Sequence, residues 1–582
     1  MASLPGAFFE KGRSFLPCLF NSFDPYFKQP FGAVRAGQSV HLSLCIPEEL
    51  GYVDPHLVLQ KEGRYDVPVH YRMKFDGQTP HQNHFSVDVT LNDVGLYFYY
   101  FDLYTDFRRI VRGPDNCGVV SWQEGESWQI TVYEADFETP APIKGKVFYQ
   151  IFPDRFCEGV ENKPMPFPDR LYQADKHAEP FWQPNEVGGH LNEDYFGGDL
   201  KGIQMKLPYL RKMGVDYLYL NPIFEAHSNH RYNTADYLNV DPLLGTNEDF
   251  ETLCAEARKY GIGIVLDGVF SHTGSDSRYF NREGRYGEGG VIDTWLRRGA
   301  AGFRLDVADE LPDEFIEKVR TAVKRVGPDK FLLGEVWEDA TTKFGFDKRR
   351  TYLLGKGLDS VMNYPFKNAV LGFVCGRDAG QTMTDILSIC EHYPAPALDT
   401  ALNFLSTHDT ERALTVIADE PANGRGREWQ SGRCVTGDAY EEGMLKLRMA
   451  YAIIYTLPGV PCLYYGDEIG MQGYRDPFNR GFYCWDSHEE RLKPVLAQLA
   501  QLRHTCEAFR TGKLRVLRAE GGVLHYQRIG EFEAAEIIVN RTEHIIVEPL
   551  ASGKHTEVNP MGFTIVVEEV GHNPNHSYYD YK

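Results

Sequence analysis

The chain has 582 residues, and because a single hydrophobic core stops growing at about 250 to 300 residues, this length predicts more than one domain. Its 61 Lys and Arg residues stand against 82 Asp and Glu residues, which gives a formal net charge of -21. That charge repels phosphate backbones and anionic membrane surfaces, so we expect neither a nucleic acid nor a membrane among the partners.

The cysteines and the N-terminal residues indicate the compartment. Eleven cysteines are scattered singly, with no CxxC pair and no metal-ligand spacing, which favours reduced thiols over a disulfide framework. The N-terminal residues contain no uninterrupted apolar stretch followed by a small-residue cleavage site, and no segment reaches the roughly 18 apolar residues of a membrane span. We therefore expect a cytoplasmic protein.

Short alternating runs occupy residues 1–137, among them HFSVDVTL, GLYFYYFDLY and SWQITVY, with turn signals between them. Alternation of apolar and polar residues is typical of strands with one buried face, so this region predicts an N-terminal β-sandwich. The stretch ETPAPIKGK, rich in proline and small residues, then predicts a linker at residues 138–146.

Residues 147–505 contain eight short, nearly continuous apolar runs separated by helical stretches, a pattern typical of parallel strands covered on both faces. Eight such units predict a (β/α)8 TIM barrel. Alternating strands return in residues 506–582 as KLRVLRAE, VLHYQRI and FTIVVEEV, and predict a small C-terminal β-domain. The barrel runs are VFYQIFPDRF, VDYLYLNPIF, GIVLDGVFSH, GFRLDVADE, FLLGEVWED, SVMNYPF, ALNFLSTHDT and VPCLYYGDEIG.

Charged residues cluster at the C-terminal ends of these predicted strands, where a TIM barrel builds its active site. Strand four ends in Arg304 and Asp306, strand five in Glu335, and strand seven in His408 and Asp409. An isolated Asp most often pairs with a base at a loop or a helix end. Three carboxylates at the same ends of strands four, five and seven instead favour a catalytic site.

The chemistry of glycosidic bond cleavage fits these carboxylates. Cleavage with retention needs an acid and a nucleophilic carboxylate about 5 Å apart, a separation that neighbouring strands can supply. Arg304 lies on the same strand face as Asp306, because side chains repeat with period two, and its charge is expected to keep Asp306 ionised. Trp337 lies on the same face as Glu335, where a partly apolar wall is expected to keep Glu335 protonated.

Six segments in a fixed order resemble the α-amylase family of glycoside hydrolases. DGVFSH, GFRLDVADE, GEVWED and FLSTHD are similar to its four short motifs, and NPIFEAHSNHRYNTADY and GVPCLYYGDE to two more. The resemblance spans residues 147–470 and implies Asp306 as nucleophile, Glu335 as general acid/base and Asp409 as the carboxylate that holds the distorted sugar. It further implies sugar contacts from His272, His408 and Arg304, stacking by Tyr232, support of Arg304 by buried Asp267, and for His230 either a sugar contact or a structural hydrogen bond.

The sandwich ahead of the barrel resembles the cyclomaltodextrinase, neopullulanase and maltogenic amylase branch of this family. That branch has an N-terminal module similar to a starch-binding domain, which helps to form a dimer. The resemblance implies a homodimer through the N-terminal domain, and places Trp337 and Glu310 on the leaving-group side of the cleft. It also implies cleavage of α-1,4 bonds in cyclodextrins, maltooligosaccharides and pullulan.

Other functions remain open at this point. A transglycosylase shares the covalent intermediate and differs only in the acceptor, and α-1,6-glucosidase or α-glucosidase activity is also compatible with the motifs. A non-catalytic carbohydrate-binding or transporter-associated barrel is a more distant alternative. Such proteins typically lose one of the carboxylates, whereas here all three are present.

The turn after strand one bears on metal binding. Relatives with a calcium site there carry Asn and Asp, whereas FPDRFCEGVENKP has Cys157 and Val160, which offer no side-chain oxygen. Asp199 in GGDL is the remaining candidate calcium ligand. We expect no cofactor.

The excursion after strand three is predicted to be incomplete. Only residues 273–290 separate His272 from Val291, whereas the resembled family places a long excursion there that ends in another short motif. VIDTWLRR predicts about eight helical residues, about 12 Å long, too short to return along a strand of about 20 Å. We predict that a segment between Tyr286 and Val291 is missing from this sequence; the alternative is a natural deletion.

Overall fold

Some predictions concern residues outside the part of the chain that the structure describes. His272 and residues 280–289 of the excursion lie outside it. No helix within it is long and apolar enough to cross a membrane. The computed structural model describes residues 18–63, 67–104, 107–161, 163, 165, 170–184, 192–271, 279 and 290–570.

Two sheets form the N-terminal region. Their strands are β1 (Lys28–Gln29), β2 (Val34–Arg35), β3 (Gln38–Pro47), β4 (His56–Lys61), β5 (Val69–Arg72), β6 (Lys74–Thr79), β7 (Gln82–Leu91), β8 (Gly95–Asp102), β9 (Arg109–Arg112), β10 (Gly118–Ser121) and β11 (Trp128–Tyr133). One sheet has the order β1-β3-β7-β6, and the other β10-β9-β8-β11-β2, with β4 beside β8 and β5 beside β4. Apolar side chains of both sheets form one core, in which the ring of Phe20 lies 4.7 Å from that of Trp128. The predicted β-sandwich is confirmed.

The central region contains the barrel strands and several short strand pairs in its loops. These are β12 (Phe148–Ile151), β13 (Leu171–Tyr172), β14 (Asp194–Tyr195), β15 (Tyr217–Leu220), β16 (Phe224–Ala226), β17 (Thr234–Val240), β18 (Gly263–Gly268), β19 (Gly302–Leu305), β20 (Phe331–Gly334), β21 (Phe344–Gly345), β22 (Lys348–Arg349), β23 (Ser360–Val361), β24 (Leu402–Asn403) and β25 (Val460–Tyr464).

Parallel pairing joins eight of these strands in the order β23-β20-β19-β18-β15-β12-β25-β24. A parallel bridge between Met362 and Leu402 connects the two ends and closes the barrel. Each of the eight predicted apolar runs contains one of the strands. Every residue of β12, β19 and β20 is buried, which explains why these runs are apolar without alternation. The predicted TIM barrel is confirmed.

Helices cover the barrel. In the helix that follows β19, Ile316, Val319 and Val323 are buried at spacings of three and four residues, so one face packs on the barrel. The helices are α1 (Leu200–Met205), α2 (Leu207–Lys212), α3 (Asn247–Lys259), α4 (Val291–Arg297), α5 (Asp313–Val326), α6 (Tyr364–Val374), α7 (Ala379–His392), α8 (Ala395–Leu398), α9 (Ala413–Ala418), α10 (Arg427–Gln430), α11 (Gly437–Thr456), α12 (Leu492–Thr505) and α13 (Ala508–Thr511).

The C-terminal region is rich in strands, as predicted. It contains β26 (Lys513–Glu520), β27 (Val523–Ile529), β28 (Glu533–Asn540), β29 (Ile546–Pro549), β30 (His555–Val558) and β31 (Gly562–Glu569). The strands β26-β27-β28-β31 form one antiparallel sheet, and β29 pairs with β30.

A buried ion pair joins the sandwich to the barrel. Nζ of Lys28 lies 2.7 Å from Oε1 of Glu391 on α7, and the hydroxyl of Ser22 donates to Oε2 of Glu391 at 2.9 Å. The segment 138–146 between the two regions is packed against the barrel, because Ile143 is buried and the Thr139 hydroxyl donates to the carbonyl of Pro396 at 2.7 Å. The position of the sandwich on the barrel is therefore fixed by polar contacts.

Candidate active site

Arg304 on β19 is the centre of the charged cluster at the C-terminal end of the barrel, and it is fully buried. Its Nη1 donates to Asp267 at 2.7 Å and to Asp306 at 2.8 Å. Its Nη2 lies 2.8 Å from Oε2 of Glu335. Because β18, β19 and β20 are neighbours, one guanidinium reaches a carboxylate at the end of each.

The chain after Asp306 turns in an unusual conformation. Val307 has φ 43° and ψ 54°, a left-handed backbone that is strained for a β-branched residue. In this conformation its N–H donates to Oε2 of Glu335 at 2.9 Å. The Glu335 carboxylate is therefore contacted by a backbone N–H as well as by Arg304.

Trp337 supplies another donor to Glu335. Its Nε1–H donates to Oε1 of Glu335 at 2.9 Å, and its ring stacks on Tyr364 with centroids 4.5 Å apart and an angle of 13°. The Trp337 side chain is 44% exposed, so one face of the indole remains open to the cleft. The same residue thus offers a polar N–H to the carboxylate and an apolar face to the solvent.

The surroundings of this pair of carboxylates differ from those expected from the sequence, in which Arg304 keeps Asp306 ionised and an apolar wall keeps Glu335 protonated. Burial raises the pKa of Asp306 to about 8, because the favourable charge of Arg304 is opposed by Asp267 and Glu335. Burial also raises the pKa of Glu335, but Arg304 and the hydrogen bonds it accepts outweigh burial and hold that pKa below its usual value. The indole contributes a hydrogen-bond donor and not only an apolar wall, and this donor favours the ionised form of Glu335.

His408, at the end of β24, is held as a neutral imidazole. Burial lowers its pKa well below the usual value, and the charges of Arg480 and Arg304 add to this effect. The Gln150 amide donates to Nδ1 at 2.9 Å, so the ring proton is on Nε2. That nitrogen lies 3.0 Å from Oδ2 of Asp409.

Tyr232 connects His408 to the arginine cluster. Its hydroxyl donates to Oδ2 of Asp267 at 2.7 Å and lies 2.5 Å from Nε2 of His408, from which it accepts. The two rings are stacked at 5.3 Å with an angle of 2°. A continuous hydrogen-bonded chain therefore runs from His408 through Tyr232 and Asp267 to Arg304.

Asp409 is bordered by an arginine that the sequence analysis missed. Nη2 of Arg480 lies 3.5 Å from Oδ1 of Asp409, and Nη1 lies 2.8 Å from Asp476. Nε of Arg480 donates to the carbonyl of His408 at 3.0 Å. Burial raises the pKa of Asp409 to about 6, against the opposing charge of Arg480.

The remaining predicted site residues lie in different surroundings. Nδ1 of His230 accepts from the Tyr232 amide at 3.1 Å, and burial lowers its pKa to about 4. Glu310 is exposed in the turn that follows Val307. Asp199 is separate from the cluster and caps α1.

This chain is similar to known proteins in both sequence and fold. A family model described as the catalytic domain of alpha-amylase matches residues 150–289 and 285–511. The chain belongs to the alpha-amylase family. The two matched segments meet at residues 285–289, within the excursion that the sequence analysis predicted to be incomplete.

Relatives of this chain include an enzyme named for the expected branch. The cyclomaltodextrinase of Geobacillus thermopakistaniensis is 31% identical over 467 residues, which cover 71% of this chain and 72% of the relative. The amylopullulanase of Thermoanaerobacter thermohydrosulfuricus is 30% identical over 623 residues, covering 87% of this chain. This chain spans only 40% of that amylopullulanase.

A solved structure of the alpha-amylase family also matches. It is the cyclic alpha-maltosyl-(1→6)-maltose hydrolase of Arthrobacter globiformis, with a TM-score of 0.61 and 28% sequence identity. The match covers 74% of this chain and all of that one.

Two polar residues near the site, Gln150 and Arg480, could have been recognised from the sequence although the sequence analysis did not select them. Gln150 is a polar residue inside the otherwise apolar strand β12, where a buried amide requires partners. Arg480 follows strand eight in the polar run RDPFNR, at the end of the barrel where sites are built. Neither residue matches a motif that the sequence analysis used.

Proposed function

We propose that this chain is a retaining glycoside hydrolase that cleaves α-1,4-glucosidic bonds of cyclodextrins, maltooligosaccharides and pullulan. The contacts of Arg304 with both Asp306 and Glu335, each at 2.8 Å, are the observation that carries the proposal. They hold two carboxylates from adjacent strands on one group, as an acid and a nucleophile about 5 Å apart require. The relatives named cyclomaltodextrinase and amylopullulanase support the substrate class.

Asp306 acts as the nucleophile and Glu335 as the general acid/base. One oxygen of Asp306 attacks the anomeric carbon while Glu335 gives its proton to the leaving glycosidic oxygen, and the C–O bond to the leaving group breaks. Glu335 then removes a proton from water, and the hydroxide displaces Asp306. For this step Glu335 has to carry a proton and Asp306 has to be ionised when the substrate is bound.

The neighbouring residues hold the sugar. Asp409 accepts hydrogen bonds from hydroxyls of the distorted ring, and it lies beside Nε2 of His408 and Nη2 of Arg480. The open faces of exposed aromatic rings suit the apolar faces of sugars. We assign to the sugar on the nucleophile side Arg304, His272, His408, Tyr232 and His230, and to the leaving-group side Trp337 and Glu310.

Product analysis separates the hydrolase from its alternatives. The protein is incubated with γ-cyclodextrin, pullulan, starch and panose, and the products are separated by chromatography, with Asp306→Asn as the inactive control. The proposal expects short maltooligosaccharides from cyclodextrin. Products longer than the substrate would identify a transglycosylase, cleavage of only the α-1,6 bond of panose would identify an α-1,6-glucosidase, and no products at all would favour a carbohydrate-binding barrel.

We also infer a cytoplasmic homodimer that associates through the N-terminal sandwich. The exposed aromatic side chains of Tyr52, Phe107 and Trp122 on that region support an interface, because large apolar groups are usually covered. Light scattering at micromolar concentration tests the dimer. A monomer that cleaves starch as fast as cyclodextrin would contradict it.

The domain limits are proposed as residues 1–137 for the sandwich, 138–146 for the linker, 147–505 for the barrel and 506–582 for the C-terminal β-domain. Two observations support a missing segment in the excursion after strand three. The family model matches in two pieces that meet at 285–289, and α4 has only seven residues, Val291–Arg297.

A further inference from the structure

The fold family implies a calcium site in the turn after the first barrel strand, and with Lys163 in place the residues there do not fit that ion. Asp199 is the candidate ligand, but three backbone amides already occupy its carboxylate. Oδ1 accepts from Gly202 at 2.6 Å and from Gly159 at 3.1 Å, and Oδ2 accepts from Val160 at 2.9 Å. The neighbouring side chains of Cys157 and Val160 add no oxygen ligand.

An ammonium group stands where a cation would bind. Nζ of Lys163 lies 2.6 Å from Oδ2 of Asp199 and donates to the carbonyls of Gly197 at 2.6 Å and Leu243 at 3.1 Å. These three oxygens surround the ammonium, two as hydrogen-bond acceptors and one as its ion-pair partner. The side chain of Lys163 is 11% exposed and that of Asp199 is 2% exposed, so the pair is shielded from solvent.

The backbone around this pair leaves no room for additional side-chain ligands. A Cβ added at Gly159 would lie 2.3 Å from the amide nitrogen of Gly202, and one at Gly202 would lie 1.9 Å from the carbonyl oxygen of Cys157. The turn therefore lies directly on the first turn of α1. A residue with a ligating side chain at Gly159 or Gly202 would therefore collide with the backbone.

We propose that the Lys163 ammonium is a built-in cation that replaces a bound calcium ion at this site. It neutralises Asp199 and joins three separate segments of the barrel: the turn after β12, the start of α1 and the loop that carries Leu243. A divalent ion beside the ammonium would be repelled at short range, so the two cations exclude each other. The shape of this turn is therefore independent of calcium.

The same turn reaches the candidate active site. Nη1 of Arg155 donates to the carbonyl of Arg480 at 2.9 Å, and Arg480 contacts Asp409. The Arg155 carbonyl also accepts from the Tyr483 amide at 2.8 Å. Lys163 therefore belongs to a turn whose first residues contact Arg480, and the role proposed for it is a structural one.

Thermal unfolding with and without calcium tests the proposal without any activity measurement. Three proteins are compared after removal of metals by a chelator: the full chain, Lys163→Ala, and the matched control Lys201→Ala. Lys201 is an exposed lysine of α1 whose Nζ donates to the side chain of Gln204 at 3.0 Å. Each is measured again in millimolar calcium chloride.

We expect the full chain to have the same Tm in both solutions. Lys163→Ala is expected to melt at least about 3 °C below Lys201→Ala in chelator and to recover part of this loss in calcium, because the freed oxygens then bind the ion. Three results would each overturn the proposal: a calcium effect as large in the full chain as in Lys163→Ala, equal Tm values for the two variants, or a destabilised Lys163→Ala that calcium does not stabilise.

Discussion

The indole N–H of Trp337 donates to the Glu335 carboxylate at 2.9 Å while the indole ring stacks on Tyr364. The hydrogen bond stabilises the ionised form of Glu335 and so lowers its pKa. The stacking fixes the ring that presents this donor. A residue assigned to the substrate wall therefore also sets the protonation of the proposed acid.

Trp337→Phe keeps an aromatic ring and removes the donor. The pKa of Glu335 then rises, and since the proposed acid must be protonated in the active form, activity persists to higher pH. We expect the basic limb of kcat/KM against pH to move up by about one unit or less, the size of one hydrogen bond. The control is Tyr364→Phe, which retains both the stacking and the indole N–H. A basic limb that is unchanged or moves to lower pH in Trp337→Phe contradicts this role.

Substitution of Arg480 tests the role of a residue that only the structure identified. Its charge lowers the pKa of Asp409, which burial raises to about 6. Arg480→Met removes that charge, so the pKa of Asp409 rises and its ionised form is lost at a higher pH. We expect kcat/KM at pH 6 to fall about tenfold more than at pH 8, and Arg480→Lys to fall between this variant and the unchanged protein. Equal losses at both pH values would show that Arg480 does not act through Asp409.

Substitution of either proposed catalytic carboxylate is expected to cause a large loss of activity. Asp306→Asn and Glu335→Gln replace charged oxygens by amides of the same size, so both variants should fold with an unchanged circular dichroism spectrum. Each is expected to lose at least about 10³-fold in kcat, because one lacks the nucleophile and the other the proton donor. A variant that retains more than about a tenth of the activity would refute its assigned role.

The incomplete excursion can be checked by peptide mapping of the purified protein. Trypsin cleaves after Arg285 and Arg297, so a continuous chain yields one fragment that extends from Tyr286 to Arg297. If a segment is missing from this sequence, that fragment is absent and longer peptides replace it. Detection of the continuous fragment would establish a natural deletion instead.

The sequence predicted the barrel because each parallel strand is buried on both faces and is therefore a continuous apolar run. The sequence also predicted the cluster of carboxylates, because the C-terminal ends of parallel strands meet at one edge of the sheet. The hydrogen-bond donors to Glu335 could not be predicted from the sequence, because they depend on which N–H groups the folded chain aims at that carboxylate. The N–H of Val307 reaches Glu335 only through a left-handed backbone, which the residue types do not indicate.

Contacts between distant segments also could not be predicted from local patterns. Lys163 meets Leu243 across 80 positions of the chain, and Lys28 meets Glu391 across 363. Neither lysine belongs to a motif or a periodic pattern. Their partners are determined by how the loops cross at the barrel surface.

The stereochemistry of the first product tests the central claim most directly. Proton NMR recorded during the first minutes of γ-cyclodextrin cleavage distinguishes the α-anomer from the β-anomer before mutarotation mixes them. Two successive displacements at the anomeric carbon, first by Asp306 and then by water, predict that the α-anomer appears first. If the β-anomer appears first, a single displacement by water has occurred, and the nucleophilic role of Asp306 is contradicted.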